Sequence, residues 1–170
     1  MKYLFVLLVL VLVGCAKPHG GSCDDVDGLK VADWNFAAVP DDYTGKAILC
    51  ESGKVRVEID FRNGKKDGFE KRWHPNGSLY YKIGYKDGEL HGVNKTWYES
   101  GRVLEIYFKD GKKDGTYKSW FENGQLSYQI NFKNDLVIDD KVIYYNKEGA
   151  IYKTEYYENG KIVRCEGDCD

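Results

Sequence analysis

The chain has few of the groups that catalysis and metal binding use. Its 170 residues include three histidines. His19 lies in a short tether, and His74 and His91 fall at or near turn signals. No G-x-S-x-G, no H-E-x-x-H and no phosphate-cradling glycine loop occurs. Each of those motifs fixes a nucleophile, a metal or a phosphate at a set backbone position. No carboxylate pair is singled out by its spacing. The sequence therefore predicts a protein that is not an enzyme and needs no cofactor. Cys165 and Cys169 form C-x-x-x-C without a second pair at zinc spacing. D-D-V-D-G, which begins at Asp24, lacks the later ligands and the closing Glu of a calcium loop. No metal site is expected. Basic residues are in no excess, with a formal charge of -2, which argues against nucleic acid as a partner. The apolar run Tyr3 to Val13 is too short to span a bilayer.

What the chain does have is a repeat. Units begin at Gly45, Gly68, Gly92, Gly115 and Asp140, which gives spacings of 23, 24, 23 and 25 residues. A period in this range marks a stacked array. Each unit has two turn signals. The first set is Ser52-Gly53, Asn76-Gly77, Ser100-Gly101, Asn123-Gly124 and Glu148-Gly149. The second is Asn63-Gly64, Asp87-Gly88, Asp110-Gly111, Asn134-Asp135 and Asn159-Gly160. Such pairs suit two-residue hairpin turns, which need positive φ at both central positions. The runs between them are rich in Tyr, Trp, Phe, Val, Ile and Thr, which is strand composition. Alternation puts Val55, Val57, Ile59 and Phe61 on one face, as it does Leu79, Tyr81, Ile83 and Tyr85, and Leu126, Tyr128, Ile130 and Phe132. The Gly92 unit is one residue shorter between its turns, so a bulge or register change is expected there. The fold class is all-β: an elongated antiparallel sheet of about five tandem hairpins. The pieces W-Y-E-S-G-R-V-L, W-F-E-N-G-Q-L and F-K-D-G-K-K-D-G resemble the MORN-type repeat, in the bacterial variant of YwqK-family antitoxins. That resemblance covers residues 45–163. It implies a sheet of hairpins and an antitoxin or immunity-type role.

Five segments are expected: a signal peptide (1–14), a lipidated tether (15–22), an acidic N-terminal cap (23–44), the repeats (45–163) and a tail (164–170). The run Tyr3 to Val13 fits a signal-peptide core. Leu12-Val13-Gly14-Cys15 resembles the bacterial lipobox, which implies that Cys15 carries lipid and anchors the protein to a membrane of the cell envelope. Ala16 after the cysteine points to the outer membrane in a Gram-negative envelope. Val31, Trp34, Phe36 and Val39 are spaced to cover the open edge of the first hairpin. Glu155 and Lys153 make the last repeat partly polar, as a terminal cap would be. Four cysteines remain after Cys15, and in an exported chain they suggest disulfides. Three pairings are possible. The separation of the array's ends favours the local ones, Cys23–Cys50 and Cys165–Cys169.

A two-residue turn at each first signal would place Glu99 opposite Arg102 and Tyr98 opposite Val103. His74 would share a face with Leu79, and Phe121 with Leu126. Trp73, Trp97, Trp120 and Tyr145 then line the other face, with Lys71, Lys95 and Lys118 two residues earlier. This aromatic and lysine stripe is the candidate partner-binding site. It suits an acidic protein segment, a glycan or a lipid headgroup. The alternative is a stripe that packs on its own neighbours, in a structural or self-assembling envelope lipoprotein.

Overall fold

The structure is a computed structural model that describes residues 22–25, 27–32, 36 and 39–169. The expected signal segment, Cys15, the tether with His19, and Trp34 lie outside the described residues. A short 3-10 turn, Cys23–Asp25, precedes one sheet of fourteen strands. In chain order these are β1 (Leu29–Val31), β2 (Gly45–Glu51), β3 (Lys54–Arg62), β4 (Lys65–Trp73), β5 (Leu79–Lys86), β6 (Glu89–Leu90) and β7 (Gly92–Trp97). Then come β8 (Val103–Lys109), β9 (Lys112–Trp120), β10 (Leu126–Lys133), β11 (Leu136–Val137), β12 (Lys141–Tyr145), β13 (Ile151–Glu158) and β14 (Lys161–Gly167). The strands follow one another across the sheet in sequence order, with β6 and β11 as short pieces beside β5 and β10. All pairs are antiparallel except β1 with β2, so the sheet is mixed at its first edge. β14 runs to Gly167, so part of the expected tail belongs to the sheet.

The second turn of each unit is a two-residue hairpin turn. Asn63 and Gly64 have φ of 47° and 71°, and Asp110 and Gly111 have 49° and 78°. Asn, Asp and Gly tolerate this left-handed region, which other residues avoid. Four of the five tips are also tied to the chain before them, the first to the segment ahead of β2 and the next three to the preceding hairpin. The Gly64 N–H donates to Tyr43 O (2.9 Å), Gly88 to Lys66 O (2.8 Å), Gly111 to Leu90 O (2.9 Å) and Asp135 to Lys113 O (2.9 Å).

The first turn is different in four of the five units. The Tyr98 N–H donates to Arg102 O (3.0 Å) and Gly101 N–H donates to Tyr98 O (2.9 Å). His74, Phe121 and Asn146 repeat the arrangement. The loop is therefore three residues long, a type I turn closed by a left-handed glycine. Ser52-Gly53 alone keeps the two-residue form, with Glu51 opposite Lys54. The longer loop shifts the pairing by one residue, which reverses faces. Val103 lies opposite Trp97, not Tyr98. Leu79 lies opposite Trp73, and Leu126 opposite Trp120. His74 and Phe121 sit in the turns. Leu126 consequently leaves the face of Tyr128 and Ile130, because the register shifts between Leu126 and Tyr128. The Gly92 unit has its register shift between Ile106 and Phe108, where β8 meets β9. Its β7–β8 hairpin pairs without interruption, whereas its longer neighbours carry an extra residue as a bulge within the hairpin.

The apolar core sits at the N-terminal end. Val31, Ala47, Leu49, Val57, Ile59 and Phe61 form a buried cluster, with Leu29, Phe36, Val39 and Tyr43 packed against it. β1 pairs with the outer edge of β2, so the cap covers both that edge and one face. Cys23 is bonded to Cys50 and Cys165 to Cys169, with Cα separations of 6.1 and 6.0 Å. Beyond β4 the buried apolar side chains thin out to Ile130 and Val142.

Candidate functional site

Alternation along the strands gives the sheet two chemically distinct faces. One continues the core and is lined by tyrosines. Here Glu70 is buried, accepting from Tyr81 Oη (2.5 Å) and from Lys66 Nζ (2.6 Å). Tyr128 donates to Tyr117 Oη (3.0 Å), and their rings meet edge-on at 5.5 Å. In the last unit Glu155 is buried, accepting from Tyr144 (2.6 Å), Tyr157 (2.7 Å) and Lys153 (2.8 Å). The expected polar cap residues are thus an internal ion pair. Burial, followed by the Glu155 carboxylate, pushes the Tyr157 hydroxyl up to about 12. Burial and Glu70 do the same to Tyr85. The tyrosines stay protonated donors, and the face is a satisfied network.

The opposite face carries the stripe. Trp73, Trp97, Trp120 and Tyr145 all lie on it, each half-buried. They are interleaved with Leu79, Val103, Leu126 and Ile151, which sit directly opposite them across the hairpins. The row therefore alternates aromatic and aliphatic side chains, where the wider turn has moved the aliphatic ones in. Two residues along the strands runs the charged row. Glu58, Lys71, Lys82, Lys95, Glu105, Lys118 and Gln129 are consecutive partners across seven strands. Lys71 reaches Glu58 at 3.4 Å and Lys95 reaches Glu105 at 3.1 Å. Lys95 Nζ also stands 5.5 Å from the Trp97 ring and 5.7 Å from that of Trp120, within cation–π range. Among the described residues Lys118 has no ion pair.

Shallow clefts flank the stripe. One of about 310 Å³ is lined by His74, Ser78, Leu79, Trp97, Tyr98 and Gly101. Another of about 300 Å³ opens between β10 and β12, where Tyr145, Ile143, Leu126 and Lys141 meet Asp139. In the first, the Ser78 hydroxyl donates to Asn76 Oδ1 (2.7 Å). His74 Nε2 is 2.9 Å from Trp97 O, which ties one turn to the next. Sequence reasoning missed the aliphatic half of the row and Lys82. The lysine two residues after Tyr80 was a readable signal, but only once the turn length was known.

The repeat itself has known relatives. The family described as MORN repeat variant matches residues 66–87, 90–110, 113–134 and 152–166. The chain carries MORN-variant repeats. These four matches fall on β4–β5, on β6–β8, on β9–β10 and on the final hairpin β13–β14. No curated protein matches the sequence. Among solved structures, the S. aureus TarM mutant in complex with fondaparinux, alpha-GlcNAc-glycerol and UDP is 14% identical, with a TM-score of 0.30. The match covers 59% of this chain and 18% of that one. A likeness that slight says nothing further about the MORN-variant array.

Proposed function

We propose that this MORN-variant chain is a non-catalytic, lipid-anchored binding module of the cell envelope, holding a protein partner in the manner of an immunity or antitoxin protein. The observation that carries this reading is the stripe. Trp73, Trp97, Trp120 and Tyr145 stand in register on one face, partly accessible, beside a row in which lysines outnumber glutamates. A single-layer sheet offers such a face without a covering layer, and aromatic anchors beside cations are typical of partner hot spots. Cys15 in its lipobox-like context supplies the anchor, and the two disulfides suit an oxidising compartment.

Crosslinking in intact cells followed by purification tests the reading. Lys118→Gln breaks no ion pair and should lower recovery of a stoichiometric partner at least fivefold, with the melting temperature unchanged. Trp97→Ala should lower recovery further. If recovery falls only in Trp97→Ala, and only because the array melts, the stripe is packing and not a site. A wild-type chain that takes up no labelled palmitate would remove the lipid anchor from the reading.

A further inference from the structure

The net charge of the chain hides a strong asymmetry. The second-turn tips carry a further row of cations on the stripe face, with Arg62, Lys65, Lys86, Lys109, Lys112 and Lys161 all exposed. At two tips the residues that close the hairpin are like-charged partners, Arg62 with Lys65 and Lys109 with Lys112. Like charges directly opposite are destabilising; Asp67 offsets Arg62 at 3.0 Å, but the fold gains nothing from Lys109 opposite Lys112. Among the described residues Lys65, Lys86, Lys109 and Lys112 have no ion pair.

Between this row and the charged row lies an apolar strip. Phe69, Val93 and Tyr107 are 42%, 47% and 38% exposed. Val93 and Tyr107 are direct partners across the β7–β8 hairpin. Lys82 Nζ lies 3.7 Å from the centre of the Phe69 ring. The strip is bracketed by Lys82 and Lys86 along β5, and by Lys118 and Lys112 along β9. Four residues of strand separate Lys82 from Lys86, a width of ~13 Å. An α-helix with its side chains is ~10–12 Å across.

We propose that this strip seats an acidic amphipathic helix of a partner protein, apolar side on Phe69, Val93 and Tyr107 and carboxylates toward the two lysine rows. The proposal rests on the reading that this face binds a protein, and it names the partner's chemistry. A nucleic acid or a sulfated glycan would match the cations but offers nothing to the apolar strip. A helix across the sheet meets a new hairpin every ~9.6 Å, two strand spacings. It returns to the same side every seven residues, ~10.5 Å. Carboxylates at a seven-residue repeat therefore keep pace with the lysines. From β4 to β9 the strip accommodates about 15 residues of helix.

The test is fluorescence anisotropy on the full chain with labelled 15-residue Leu/Glu peptides. One has its leucines along one helical side. A second has the same composition scrambled, and a third replaces Glu by Lys. The amphipathic Leu/Glu peptide should bind, and both controls should bind at least tenfold more weakly. Lys109→Glu should weaken binding tenfold or more without lowering the melting temperature, because it replaces a like-charge pair with an opposite one. Val93→Ser should weaken binding at least threefold. Equal binding of the scrambled peptide, or no effect of Val93→Ser, would mean a generic polyanion surface and would overturn the proposal. So would absence of peptide binding. The stripe reading would stand through any of these if recovery of the native partner still depends on Lys118.

Discussion

Glu155 shows how one residue position changes its work along the array. In earlier units this place holds Ile59, Ile83 and Ile130, and Glu155 is as buried as Ile130. Burial alone would push its carboxyl up. Hydrogen bonds from Lys153, Tyr144 and Tyr157 outweigh that and hold it below the ordinary glutamate value. Asp60 follows the same pattern on the other face. Burial opposes its charge, but Lys46 and the Phe69 N–H lower it overall. A carboxylate depressed in the folded state stabilises the fold above its unfolded value, and this contribution is lost as pH falls through the folded one. Stability should therefore be level near neutrality and should fall from about pH 4 downward, where unfolded carboxylates begin to take up protons. Urea unfolding followed by tryptophan fluorescence between pH 7 and 3 measures this. Glu155→Gln should flatten part of the acid slope. An unchanged slope would mean that the ion pair with Lys153 is not formed in solution.

At the scale of the hairpin, the turns decide what the sequence could reveal. The second turns were legible because Asn-Gly and Asp-Gly are the pairs that tolerate positive φ at both positions. Four of the five first turns contain similar pairs yet form three-residue loops, and in the Gly68 unit one residue carried the distinction. A two-residue turn at Asn76-Gly77 would require the residue before it to donate its N–H across the hairpin. That residue is Pro75, which has none. The wider loop moves Leu79, Val103 and Leu126 onto the stripe face. The stripe residues themselves were legible because Trp and Lys recur at fixed offsets within the repeat. Their neighbours were not, since a single-residue change in loop length reverses a whole strand. Gly84, whose counterparts in the other units are not glycine, has a steric reason that no dipeptide shows. A Cβ on Gly84 would lie 2.2 Å from His91 O, whereas one on Gly111 would meet nothing within 4 Å. Gly111→Ala should cost only the left-handed strain of ~1–2 kcal/mol. Gly84→Ala should cost clearly more, because it pushes β5 away from the chain at His91. Thermal melts of the two variants rank them, and equal melting temperatures would contradict the close approach at His91.

The whole molecule is a one-layer array whose two ends are finished differently. At the first end β1 covers the edge, Cys23–Cys50 closes it, and the largest cluster of buried apolar side chains lies beneath. At the other end β14 pairs only with β13 among the described residues, and Ile162 and Val163 are each 54% exposed. The small Cys165–Cys169 loop constrains little of the unfolded chain. In an array whose units touch only their neighbours, stability is a sum of local terms and need not be uniform. Amide hydrogen exchange should thus be slowest in β2 and β3 and fastest in β13 and β14, with intermediate protection along β4–β10. The Cys23–Cys50 bond spans a sequence separation of 27. Closing a loop of that length is worth ~3–4 kcal/mol in chain entropy. Cys23→Ser together with Cys50→Ser should therefore erase most of the extra protection of β2 and β3 while leaving β13 and β14 as they were. Uniform exchange along the wild-type array would show that it opens as a single cooperative unit, and that the sealed end does not set its order of unfolding.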